Sequence, residues 1–149
     1  MFIGKTLETK HQDEVAETTI TDYVPLSEWE LLQLAIIKTE SDFDANAVGK
    51  TKDLGCMQIT PIYVAEINRL CDTTIFYHLD AFDVSKTLDM YDIYQSAKNP
   101  EHNIHKAISL HNPNGDTIGY ASRVLNNYRY LERIEYYRKL IVQRNQLKH

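Results

Sequence analysis

The stretch "IIKTESDFDANAVGKTKDLGCMQITP", Ile36 to Pro61, decides how this chain is read. It begins as the end of an apolar helical run and places one glutamate, Glu40, at the close of that run. Upstream, Ser27 and Glu30 have the spacing of a capping box, and Leu26 with Leu31 fit a hydrophobic staple around it. Trp29, Leu32, Ile36 and Ile37 then recur at helical spacing, and Glu40 falls four residues after Ile36 and eight after Leu32. The pattern predicts a helix with a carboxylate on its apolar stripe, at its C-terminal end.

Two outcomes are open for that carboxylate. A carboxyl group beside an apolar surface loses hydration, and the negative end of its own helix adds to the effect, so both favour the neutral, protonated form. A carboxylic acid held that way is suited to general acid catalysis of glycosidic cleavage. The alternative is a last-turn glutamate that faces water, the commoner fate of this residue type.

Outward from Glu40, residues 42 to 52 have no helical period, and Asn46 and Gly49 favour turns. "LGCMQI" is short, apolar and bounded by turn residues, which predicts a strand or extended segment and at most a small β-hairpin near residues 50 to 60. Thr60 is placed as an N-cap with Pro61 at the first helical position, leading into "IYVAEINRL". A loop around "CDTTIFYHLDAFD" precedes a helix near Ser85 to Lys98, and Asn99-Pro100 is read as opening another helix through His111. After the "HNPNGD" loop, Thr117 is read as the cap of a last helix with Ala121, Val124, Leu125 and Tyr128 on its buried face. Residues 1–25 are polar and weakly patterned and are read as an arm, with one domain over 26–149. There is no internal repeat or low-complexity tract, and the fold class is mainly α, with a small hairpin at most.

At 149 residues the chain is long enough to bury a real core. A formal charge of −5 argues against a general nucleic-acid binder, which would carry a basic face. No apolar run approaches the roughly 20 residues needed to cross a bilayer, so no transmembrane segment is expected. The N-terminus lacks the apolar core of a signal peptide, so export by another route or prior removal of a leader is expected. Cys56 and Cys71 are read as two free, mostly buried thiols rather than a disulfide. His102, His105 and His111 have no recognised metal spacing and are read as solvated or hydrogen-bonded, with no metal or cofactor expected. No Gly-rich phosphate loop and no G-x-S-x-G elbow is present. From Arg129 onward six Lys and Arg stand against two Glu, which fits either steering toward an anionic polymer or a solvated helix face.

The order of the pieces matters more than any one of them. "TESDF", "GCMQITP", "NPEHNI", "AISLHNPNG" and "YASRVLNNY" together resemble the lytic transglycosylases of the lysozyme-like superfamily, relatives of goose-type lysozyme, from about Ser27 to Tyr128. The pattern looks closest to the short phage and Bacteroidetes versions. The resemblance implies an α+β lysozyme-like helical domain with a substrate cleft, acting on peptidoglycan glycan strands as a monomer. It matches Glu40 to the single catalytic acid/base, and Ser41, Met57, Gln58, Asn112 and Tyr120 to residues around the sugar. His111 stands where the family has an aromatic Tyr or Trp, "NPNG" replaces its small-residue loop, and Cys56 replaces its usual leucine.

What the resemblance implies chemically is cleavage of the bond between N-acetylmuramic acid and N-acetylglucosamine, with closure of a 1,6-anhydro ring. The substrate's acetamido group assists, one of the exceptions to the two-carboxylate scheme. Two alternatives stay open. A muramidase using water would want a second carboxylate, for which Asp53 is the candidate. A non-catalytic glycan-binding or virion structural module is the other, favoured by the histidine at 111.

Overall fold

The computed structural model describes residues 23–113 and 115–148, so most of the arm expected over 1–25 lies outside the described residues. Five α-helices and one 3-10 turn are found among them: α1 (Glu28–Ser41), α2 (Pro61–Leu70), the 3-10 turn (His78–Phe82), α3 (Val84–Lys98), α4 (Ile104–His111) and α5 (Thr117–Leu147). The described residues separate into two compact units, one over Glu28–Leu131 and a smaller one joining residues 23–27 to 132–148. In the smaller unit, Glu135 accepts hydrogen bonds from the Tyr23 hydroxyl and the Leu26 N–H, and Arg138 donates to the Val24 carbonyl.

The larger unit is built on the apolar stripe of α1. Leu32, Ala35 and Ile36 are fully buried and Leu31 and Ile37 nearly so, in one core with Ile67 of α2, Met90 and Tyr91 of α3, Ala107 and Ile108 of α4 and Val124 of α5. Burying such side chains is worth about 1.5–3 kcal/mol each, which is why the stripe fixes the helix against its neighbours. Helix α1 packs on α4, and α2 on α3. Across the top of α1, Asn127 of α5 donates to the Thr39 hydroxyl at 2.9 Å.

Local chemistry sets the element ends. Thr60 caps α2 by accepting from the Tyr63 N–H at 3.0 Å, with Pro61 at the first helical position as expected. Two starts differ from the sequence reading. Asn99 terminates α3 instead of opening the next helix; its buried side chain donates to Gln95 and to the Asn103 carbonyl, and Asn103 then caps α4. Asp116, not Thr117, caps α5, accepting from the Gly119 N–H at 3.1 Å. His102 does not share a helix with His105 as the sequence reading had it; it lies before the helix and stacks on Trp29 at 4.3 Å between ring centroids.

The segment read as a strand is a tight turn. Leu54 and Ile59 exchange two backbone hydrogen bonds, at 3.0 and 2.8 Å, and close Gly55–Gln58 between them. The hairpin reduces to two isolated antiparallel bridges, Val48 with Leu54 and Leu54 with Ile59. The backbone cannot extend there because Gly55 and Gln58 both take positive φ, +78° and +52°. Cys56 and Cys71 are free thiols, Cys56 buried, as expected.

Candidate active site

Helix α1 ends one residue after Glu40, which is half-buried on the wall of a cleft of about 720 Å³. Gln58 and Asp53 from the loop before α2 line the same cleft, as do His111 and Asn112 from the end of α4. The candidate residues Glu40, Gln58, His111 and Asn112, with Asp53 as the candidate second carboxylate, are therefore gathered in one place.

The tight turn forms the part of the wall next to Glu40 and is wired from both sides. Ser41 donates from its hydroxyl to the Cys56 carbonyl at 2.8 Å, tying the end of α1 to the turn. From the far side, the Nε2–H of His111 donates to the Met57 carbonyl at 2.9 Å, which leaves the ring's Nδ1 outside that bond. That Nδ1 is buried and has no hydrogen-bond partner. Gln58 is held by its own amide, which donates to the Gly55 carbonyl at 3.0 Å and the Ala47 carbonyl at 3.3 Å. Its amide oxygen packs against Gly49 so closely that a side chain at 49 would collide with it.

Two expected sugar contacts sit differently. Met57 is fully buried, so its side chain belongs to the core beneath the turn and only its carbonyl takes part in the wall. Ser41 spends its hydroxyl on backbone partners, including the Asp44 N–H, and acts as a brace. Tyr120 of α5 is buried, and its hydroxyl has no hydrogen bond of ordinary geometry, although Glu40 lies close enough to act on it. Burial first, and the Glu40 charge second, push the Tyr120 phenol well above its usual range. Asp53 accepts from the Thr51 hydroxyl at 3.0 Å.

The cleft also contains residues that periodicity did not single out. Tyr63 of α2 and Tyr94 of α3 stack at 4.6 Å between ring centroids and line it together. Behind them, the buried hydroxyls of Tyr63 and Tyr91 have no partner, and burial pushes both phenols up. Tyr63 and Glu66 sit three residues apart beside the buried Val64–Ile67 stripe of α2, and that flank of polar and aromatic residues was the available signal.

Glu66 lines the cleft as an ion-paired carboxylate. It accepts from Arg69 Nε at 2.9 Å and Arg69 Nη2 at 2.6 Å, and from Lys98 Nζ at 3.1 Å. Arg69 first, and Lys98 second, hold its carboxyl down at about 2 against an ordinary 4.5. A depressed carboxylate contributes stability above its unfolded-state value and loses it as pH falls toward the folded one. Glu66→Gln is therefore expected to melt slightly below the parent near pH 6, by a few degrees at most for an exposed pair. The gap should close between about pH 4.5 and pH 2. Melting curves at stepped pH check this, and a gap that widens in acid would refute it.

No group of three or more metal-ligating side chains occurs among the described residues, and no described helix is long and apolar enough to cross a membrane. Compared with known families, residues 26–130 match the family described as Transglycosylase SLT domain. No curated protein and no solved structure matches the chain.

Proposed function

Because the chain belongs to the transglycosylase SLT domain family, the lysozyme-like group acting on peptidoglycan, we propose that it is a lytic transglycosylase with Glu40 as its single acid and base. The observation that supports this most is the position of Glu40: a half-buried carboxyl at a helix end, in one cleft with Gln58 and Asn112 and beside the Tyr120 hydroxyl.

In this reading Glu40 gives its proton to the oxygen between N-acetylmuramic acid and N-acetylglucosamine. The C1–O bond breaks, and the muramyl acetamido oxygen closes on C1 as the leaving sugar departs with the proton. The C6 hydroxyl then attacks C1, the acetamido group is released, and Glu40 takes the hydroxyl proton back. No water is consumed and no cofactor is needed. Tyr120 has an O–H to offer the carboxylate formed between the two transfers. The stacked Tyr63 and Tyr94 give the sugar ring a face to lie on. Asn112 and Gln58 supply amide donors and acceptors at the wall.

Asp53 lines the same cleft, and that favours a second reading in which it activates a water and the enzyme is a muramidase. Mass spectrometry of digested peptidoglycan separates the two. The expected products carry muramyl ends lighter by one water than reducing ends. Reducing ends throughout would instead make the enzyme a hydrolase, and undigested polymer would favour a non-catalytic glycan-binding module.

A further inference from the structure

Among the described residues, the cleft lining holds three carboxylates, Glu40, Asp53 and Glu66, and no lysine or arginine. An anionic group on a bound polymer would be repelled inside it. Among the described residues, Glu66 is the one lining carboxylate that pairs with cations, and Arg69 and Lys98 converge on it from two different helices. Two cations on one carboxylate leave a surplus positive charge one side chain from the cleft. Both cations keep unused N–H donors, since Glu66 takes two from Arg69 and one from Lys98. Both remain open to an incoming group, with side-chain exposures of 65% and 37%. The clip by Glu66 fixes their positions, so binding an anion there orders less side chain than capture by two free cations would.

We propose that Arg69 and Lys98, held by Glu66 at the cleft edge, form a binding site for a carboxylate of the peptide stem that hangs from the muramyl unit. This rests on the peptidoglycan reading above and adds to it a residue-level basis for preferring strands that still bear their stems. The electrostatics divides the work. The acidic cleft takes the neutral sugar backbone, and the cationic edge takes the charged substituent. Guanidinium suits the part because its planar donors match a carboxylate two at a time.

The experiment compares two soluble substrates: glycan fragments with stems intact, and the same fragments with stems removed by an amidase and the freed lactyl carboxylates capped as amides. Arg69→Ala and Lys98→Ala are assayed on both, with Lys98→Arg as the charge-preserving variant and Lys139→Ala as a control for loss of one charge. Loss of a hydrogen bond to a charged group at an exposed site predicts a KM raised roughly tenfold on stem-bearing fragments for the two alanine variants, with kcat little changed. On stem-free fragments they should match the parent, and Lys98→Arg should match it on both. A merely structural pair between α2 and α3 would lower activity on the two substrates alike, and that result overturns the proposal, as does no change on either. If the parent cleaves neither substrate, the transglycosylase reading falls and takes this site with it. If the parent cleaves both and the variants do not discriminate, this site alone is lost.

Discussion

Glu40→Gln is expected to abolish cleavage while leaving the fold intact. The amide keeps the shape of the side chain but can neither give an acid proton nor take one back. One group serves both transfers in the proposed mechanism, so a neighbour cannot cover the loss. General acid–base contributions are typically on the order of a hundred to ten thousand fold, and the product of digestion should fall at least that far. Glu40 is only half-buried and makes no ion pair among the described residues, so the thermal midpoint should stay level or rise slightly. Turbidity clearance of purified cell wall, with melting of the same samples, reads both quantities. A mutant of parental activity would remove Glu40 from the chemistry altogether.

The second large effect concerns stability. Gly55 holds φ +78°, and a Cβ there would lie inside the carbonyl of Ala81, backbone against backbone. Gly55→Ala must shift either the turn or the 3-10 segment, because neither contact atom belongs to a flexible side chain. Strain of this kind, left-handed backbone plus a fixed clash, costs about 3 kcal/mol or more. That corresponds to a drop in Tm of roughly 10 °C for a chain of this size. Activity should fall further than stability explains, since Gln58 and the Met57 carbonyl move with the turn. Calorimetry of Gly55→Ala beside Gly55→Ser tests it, and a parental Tm in both would mean that the turn has slack.

How much of this was legible in the sequence follows from what each residue's signal is made of. The helix ending at Glu40 and the Thr60-Pro61 start were readable because capping and periodicity are local properties, settled within one or two turns. The turn at Gly55–Gln58 was not, because a six-residue apolar run looks the same whether it extends or curls; burial of Cys56 and Met57 accounts for its composition either way. Asn99-Pro100 carries the marks of a helix start, yet the Asn99 side chain is spent ending the previous helix, a choice made by its partners Gln95 and Asn103. Met57 and Gln58 are adjacent and were read alike, but the turn sends one into the core and the other into the cleft. Tyr63, Tyr94 and Glu66 were overlooked because they look like ordinary flanks of amphipathic helices until α2 and α3 are set side by side.

The double wiring of the tight turn also has a temporal side. Ser41 reaches it from fifteen residues upstream, whereas His111 comes from fifty-four residues downstream. Closing the longer loop costs more chain entropy and gives no return until the partner has been made. On the ribosome, the helix bearing Glu40 can wind early, but the opposite brace cannot engage until residue 111 has emerged. The cutting edge is thus completed late in the life of the nascent chain, and a truncated product would carry the glutamate without the groove that gives it a task.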